Sequence, residues 1–197
     1  MEWKIIEAST FQTHQWSGGT TTQLFIFPED ASYRERNFQF RLSTATVEIE
    51  QSDFTSLPGF SRKLMLLSGS ISLEHAGHYK KLLHKLEVDS FEGNWHTTSY
   101  GKGRDFNLMT ALGWDGNLQG FDIVRDQLIS YPIQKGFGWV FIYISKGSLE
   151  IEIQNEQILL NVGDLLIMKD PHMSNLSVKG LEVSEWILAE ISQDLHD

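Results

Sequence analysis

Residues 62–74 read RKLMLLSGSISLE, and residues 139–153 read WVFIYISKGSLEIEI. Each is an apolar run, a glycine-containing break, and a second run in which apolar and polar residues alternate. Short apolar runs bounded by glycine read as strands, and a period of two places one face of a strand on a core. The echo continues downstream, where LEVDSFEGNWHTTS (86–99) is answered by LNVGDLLIMKDPHMS (160–174).

Outward from these stretches, LFIF (24–27), FQFRLSTATVEI (38–49), VFIYIS (140–145) and SLEIEIQ (148–154) also read as strands. Residues 181–193, LEVSEWILAEISQ, fit either a strand or a short helix, and no long 3.6-residue period occurs. The four prolines fall at or near breaks. Strand, glycine turn, strand, then a further break and strand is the rhythm of a cupin. Two copies imply an all-β bicupin, two fused RmlC-like jelly-roll halves with a junction near Asp115–Gly120. The expected organisation is a single compact unit with approximate halves 1–116 and 117–197. The repeat length is too irregular for a solenoid.

Composition narrows the function. A chain of 197 residues with 41% hydrophobic content can bury a sizeable core. Its formal charge of −10 argues against a nucleic-acid or anionic-membrane partner. Cysteine is absent, which removes disulfides and thiolate chemistry. The first residues, MEWKIIEAST, lack the plan of a signal peptide, and apolar runs such as WVFIYI (139–144) are too short to span a bilayer. A soluble cytoplasmic protein is expected.

The seven histidines are His14, His75, His78, His84, His96, His172 and His196. No H-x-H pair exists, and His75 and His78 bracket an Ala-Gly turn that should be an exposed hairpin tip. His96, in NWHTT, is the better functional candidate, set against a half-buried structural role. A metal site needs three or four converging ligands, so neither metal nor cofactor is expected. There is no G-x-S-x-G elbow to mark a nucleophile.

The arginines say more. In FQFRLSTATVEI, Phe38, Phe40 and Leu42 share one face, and Arg41, Ser43, Ala45 and Val47 share the other. An arginine beside small side chains leaves room for a ligand. By the same parity Arg62 lies with Leu64 and Leu66, and Asp105, Asn107 and Met109 lie opposite Phe106 and Leu108. Guanidinium suits bidentate recognition of a carboxylate or phosphate. A buried arginine also needs a partner, and Asp105 can serve, so an internal Arg–Asp network without a ligand stands as the plainer alternative.

Four motifs, in this order and at these distances, resemble the HutD/Ves family: Trp16-Ser-Gly-Gly-Thr-Thr21, Phe40-Arg-Leu-Ser-Thr-Ala-Thr-Val47, Phe54-Thr-Ser-Leu-Pro-Gly-Phe-Ser-Arg62 and Asp105-Phe-Asn-Leu-Met-Thr110. The resemblance covers residues 10–112; residues 113–197 fit as a general second cupin half. It implies a metal-free bacterial bicupin that binds a small molecule and moderates histidine utilisation by sensing an acidic intermediate, such as urocanate or a formylated glutamate. The chain departs from the family pattern in a shorter glycine loop, in Thr22-Gln23 where an Arg-Glu pair is usual, and in Ala111 where an arginine often stands.

The reading that follows is a small carboxylate bound in the N-terminal half. Arg62 is the expected anion anchor, with Arg41 as second cation. Ser43 and Asn107 supply neutral hydrogen bonds, Asp105 orients an arginine, and Trp16 and Thr21, with the Gly18-Gly19 loop, close the mouth. The alternatives are a metal-independent isomerase or hydrolase using His96 or Asp105 as acid–base, and a homodimer with a vestigial pocket.

Overall fold

A computed structural model describes residues 1–133, 136–172 and 175–194, so His196 lies outside the described residues. In the first half of the chain the strands are β1 (Glu2–Ile6), β2 (Thr13–Trp16), β3 (Gly19–Phe27), β4 (Phe40–Val47), β5 (Gln51–Asp53), β6 (Phe60–Gly69), β7 (Ile71–His75), β8 (Tyr79–Leu83), β9 (Val88–Glu92), β10 (Thr97–Tyr100) and β11 (Gly103–Ala111). In the second they are β12 (Trp114–Ile123), β13 (Leu128–Pro132), β14 (Trp139–Lys146), β15 (Ser148–Ile153), β16 (Glu156–Asn161), β17 (Leu165–Lys169), β18 (Asn175–Gly180) and β19 (Ser184–Gln193). The ambiguous stretch 181–193 is therefore strand. One turn of 3-10 helix, Ala8–Thr10, is the helical element among the described residues.

The chain forms two units. One contains Phe11–Asp115 and Asp194, the other Met1–Thr10 and Gly116–Gln193. The change of unit at Asp115/Gly116 falls inside β12, so extended chain stands where a linker would be sought. The first ten residues go with the second unit because β1 pairs antiparallel with β17, Glu2 opposite Lys169 and Ile6 opposite Leu165. A division of the sequence at residue 116 does not contain that exchange.

The first unit has a six-stranded sheet, β2-β3-β4-β11-β6-β9, and a four-stranded sheet, β5-β10-β7-β8. Leu64, Leu66 and Phe91 of the first pack against Ile71, Leu73 and Leu83 of the second. The second unit repeats the plan with β1-β17-β14-β19-β12 and β13-β18-β15-β16 around a larger apolar core. The glycine of each repeat makes the turn between the paired runs. Gly69 (φ +88°) joins β6 to β7, and a Cβ there would stand 2.3 Å from the Lys102 carbonyl oxygen. Gly147 (φ +76°) joins β14 to β15, where a Cβ would meet the Ser184 hydroxyl at 2.3 Å. Both positions need positive φ and no side chain.

Candidate functional site

Register on the six-stranded sheet decides which side chains meet. On the central strand β11, Met109 lies opposite Arg41 of β4 and Arg62 of β6. Asn107 lies opposite Ser43 and Leu64, and Asp105 opposite Ala45 and Leu66. Directly opposed residues share a face. Leu64 and Leu66 belong to the apolar cluster between the two sheets, so this is the inward face. Arg41, Ser43, Arg62, Asp105 and Asn107 all point into the first jelly roll, and all are buried.

Their bonds form two short chains. Arg41 donates from Nε to Gln23 Oε1 at 2.9 Å and from Nη1 to Ser43 Oγ at 2.9 Å. Its guanidinium lies over the Tyr33 ring, 4.5 Å from the centroid. Arg62 donates from Nη2 to Asn107 Oδ1 at 3.2 Å, and Asn107 Nδ2 donates in turn to Asp105 Oδ1. Phe54 and Phe91 both lie against the Arg62 guanidinium, with ring centroids 4.6 and 5.3 Å from it and 6.0 Å from each other. Asp105 thus orients Asn107, and the asparagine, not the carboxylate, receives the arginine. That corrects the expected direct Arg–Asp contact.

Arg62 is 4% exposed, yet its Nε–H finds no acceptor. A guanidinium carries five N–H donors, and a buried donor left without a partner costs about 1–3 kcal/mol. Burial pushes the Arg62 pKa down to about 10; Tyr33 and Asp105 oppose the fall and Arg41 adds to it. Burial also lowers the Arg41 pKa. Desolvation pushes Asp105 up to about 7, against the pull of Arg62 and Arg104. Two cations face one carboxyl that ionises only near neutrality, so the site is short of negative charge.

Gln23, Tyr33, Phe54 and Phe91 were given no site role from the sequence, although Phe54 opens the motif that ends at Arg62. Gln23 stands in the Thr22-Gln23 pair that marks a departure from the family pattern, and that departure was the available signal. Thr21 lies opposite Ala45, and Trp16 lies opposite Gly19, which itself pairs with Val47. Along β4, Val47 is six residues from Arg41, about 20 Å of strand. Trp16 is 37% exposed and its indole lies over Gly18, where a Cβ would stand 2.2 Å from it. Trp16 is thus remote from the arginine cluster, whereas Thr21 lies on the inward face two residues along β3 from Gln23.

The histidines fall differently from expectation. His75 is not on an exposed tip: it is buried, its Nδ1 bonded to Thr97 Oγ1 at 2.8 Å and its Nε2 to Asp89 Oδ2 at 2.9 Å. Tyr79 donates to the other Asp89 oxygen at 2.9 Å. His78 is exposed and stacks on Trp95. His96 is exposed in the turn before β10, so neither the half-buried reading nor an acid–base role for it gains from the structure. Among the described residues no three His, Asp or Glu side chains converge as metal ligands, and no helix is long and apolar enough to cross a membrane.

The HutD family model matches residues 8–184. The chain belongs to the HutD family. The family is associated with histidine utilisation. Among solved structures, PA5104 of Pseudomonas aeruginosa PAO1, a conserved protein of unknown function, superposes with a TM-score of 0.83 at 20% identity, covering 98% of this chain and 100% of its own. HutD of Pseudomonas fluorescens SBW25 follows at 0.75 and 22% identity, covering 98% and 99%. YhhW of Escherichia coli gives 0.73 at 12% identity over the full length of both chains. These likenesses speak to the fold, a bicupin. No curated protein matches the chain.

Proposed function

We propose that this HutD-family chain binds a small carboxylate in its first jelly roll, with Arg62 as anchor and Arg41 as second cation. Through that binding it moderates histidine utilisation in the cytoplasm, sensing an acidic intermediate of the urocanate or formylated-glutamate type. The observation that carries the reading is the unpartnered Arg62 Nε–H, buried against the adjoining rings of Phe54 and Phe91 near a second buried guanidinium. A carboxylate on the Nε edge would accept that donor and supply the missing negative charge. Asn107 and Asp105 hold the guanidinium plane, and Gln23 and Ser43 hold Arg41.

Hydrogen bonds to charged groups contribute roughly 1.5–3 kcal/mol, and about 1.4 kcal/mol is tenfold in affinity. Arg62→Ala should therefore weaken urocanate binding by roughly ten- to a hundredfold in titration calorimetry. Arg62→Lys should recover little, because a point charge cannot reproduce the planar fork. Arg34→Ala, at an exposed loop position, should bind as the wild type does. Equal affinities for wild type and Arg62→Ala would place the site elsewhere.

A further inference from the structure

We propose that Asp105 selects the charge of the ligand: a dianion is bound together with one proton taken up by Asp105, and a monoanion is bound without it. This rests on the reading of the cluster as a carboxylate site. Asp105 is 1% exposed and reaches the anchor through a single amide, accepting from Asn107, which accepts from Arg62. Its direct neighbours across β4 and β6 are Ala45 and Leu66, whose side chains offer it no hydrogen bond.

The charged and titratable groups around it can be named element by element. Arg62 comes from β6 and Arg41 from β4, both inward. Tyr33 comes from the loop before β4 and acts on both guanidiniums. Arg104 precedes Asp105 on its own strand and acts on it electrostatically. On β9, Asp89 lies opposite Leu64 and is already engaged by His75 of β7 and Tyr79 of β8, with Lys81 Nζ at 3.9 Å.

Arg41 and Arg62 bring two positive charges. With Asp105 ionised, one remains for a ligand; with Asp105 protonated, two remain. A site withdrawn from water is most stable near neutrality, because an uncompensated charge is costly there. A dianion entering beside an ionised Asp105 would leave an excess negative charge, and protonating the carboxyl removes it. The network survives the change, since Asn107 Nδ2 still finds a carboxyl oxygen while the other oxygen carries the proton. The Asp105 pKa of about 7 sets the exchange near physiological pH.

Calorimetry of the wild type and of Asp105→Asn tests this, with glutarate as dianion and urocanate as monoanion, at pH 8 in two buffers of different ionisation enthalpy. Wild type should take up about one proton per glutarate and few or none per urocanate. Its glutarate affinity should fall about tenfold between pH 7.5 and 8.5, where the unliganded carboxyl is ionised. Asp105→Asn copies the protonated form, so its proton uptake should vanish, and at pH 8.5, about 1.5 units above the carboxyl's pKa, it should prefer glutarate over urocanate about thirtyfold more than wild type does. Glutarate binding to wild type without proton uptake, or uptake that persists in the variant, overturns the proposal and leaves the carboxylate site standing. No binding of either acid to wild type overturns both. The wild-type measurement needs no variant, so a poorly folded Asp105→Asn would not spare it.

Discussion

Replacing Arg62 by methionine should make the unliganded protein more stable while abolishing carboxylate binding. A guanidinium whose pKa falls from 12.5 to about 10, chiefly through burial, is disfavoured in its charged form by roughly 3 kcal/mol. The variant loses the bond to Asn107, about 1.5–3 kcal/mol, and the ring contacts with Phe54 and Phe91, each about 0.5–1 kcal/mol. It gains about 1.5–3 kcal/mol from a buried, unbranched apolar side chain that can also contact both rings through sulfur. The balance is a stabilisation of about 1–2 kcal/mol, or roughly 2–8 °C in melting temperature for a chain of this length. Urea and thermal melts of dialysed protein, followed by tryptophan fluorescence, measure it. Saturating ligand should reverse the order, because a ligand at a hundred times its Kd stabilises the wild type by about 2.7 kcal/mol and the variant not at all. An unliganded Arg62→Met less stable than wild type by 1 kcal/mol or more would mean that the arginine is a structural element, and the argument from its unpaired donor would fail.

Stability should also depend on Asp105. Its folded pKa is raised from 3.8 to about 7, so the native state keeps a proton that the unfolded chain releases between those values. The stabilisation is full below pH 4 and is lost as pH rises through 7, by up to roughly 4 kcal/mol, and Asp105→Asn should flatten that slope in urea titrations from pH 4 to 8. Asp89→Ala should cost about 2–4 kcal/mol in the same assay, since it strips acceptors from buried His75 and from Tyr79; a change under 0.5 kcal/mol would show that the network contributes little.

What the sequence disclosed was whatever depends on a period of two. Arg41 with Ser43, Arg62 with Leu64 and Leu66, and Asp105 with Asn107 fall on one face because alternation within a strand holds wherever the strand is regular. Gln23 escaped because an irregularity between Gln23 and Phe25 shifts the register of β3, so the parity of LFIF does not extend back to it. Tyr33 sits in a loop with no period, and Phe54 and Phe91 reach Arg62 from outside its own strand. The burial of His75 depends on Thr97 and Asp89, 22 and 14 residues away, which only sheet pairing brings together. The placing of β1 with β17 is likewise a long-range event that no local pattern announces.

The two halves bear on whether the polar trio is structural. In the first unit Arg62, Leu64 and Leu66 of β6 oppose Met109, Asn107 and Asp105 of β11. In the second, Val140, Ile142 and Ile144 of β14 oppose Glu190, Leu188 and Trp186 of β19. The register slips at the same place in both, just beyond Asp105 and just beyond Ile144. Val140 therefore stands where Arg62 stands, Leu188 where Asn107 stands, and Trp186 where Asp105 stands. Those three are fully buried members of an apolar core. At these three positions the second unit closes with Val140, Leu188 and Trp186, and its own buried acid, Glu190, stands instead where Met109 stands, so a jelly roll does not require the arginine, amide and acid where the first unit has them. An ion-bearing network where packed hydrophobic residues would serve is weak evidence for stability. It is better evidence for a task that apolar groups cannot do, and local departures from the rules of core packing concentrate at functional sites. The internal comparison makes the same demand as the methionine variant: Arg62 should be dispensable for folding and indispensable for holding an anion.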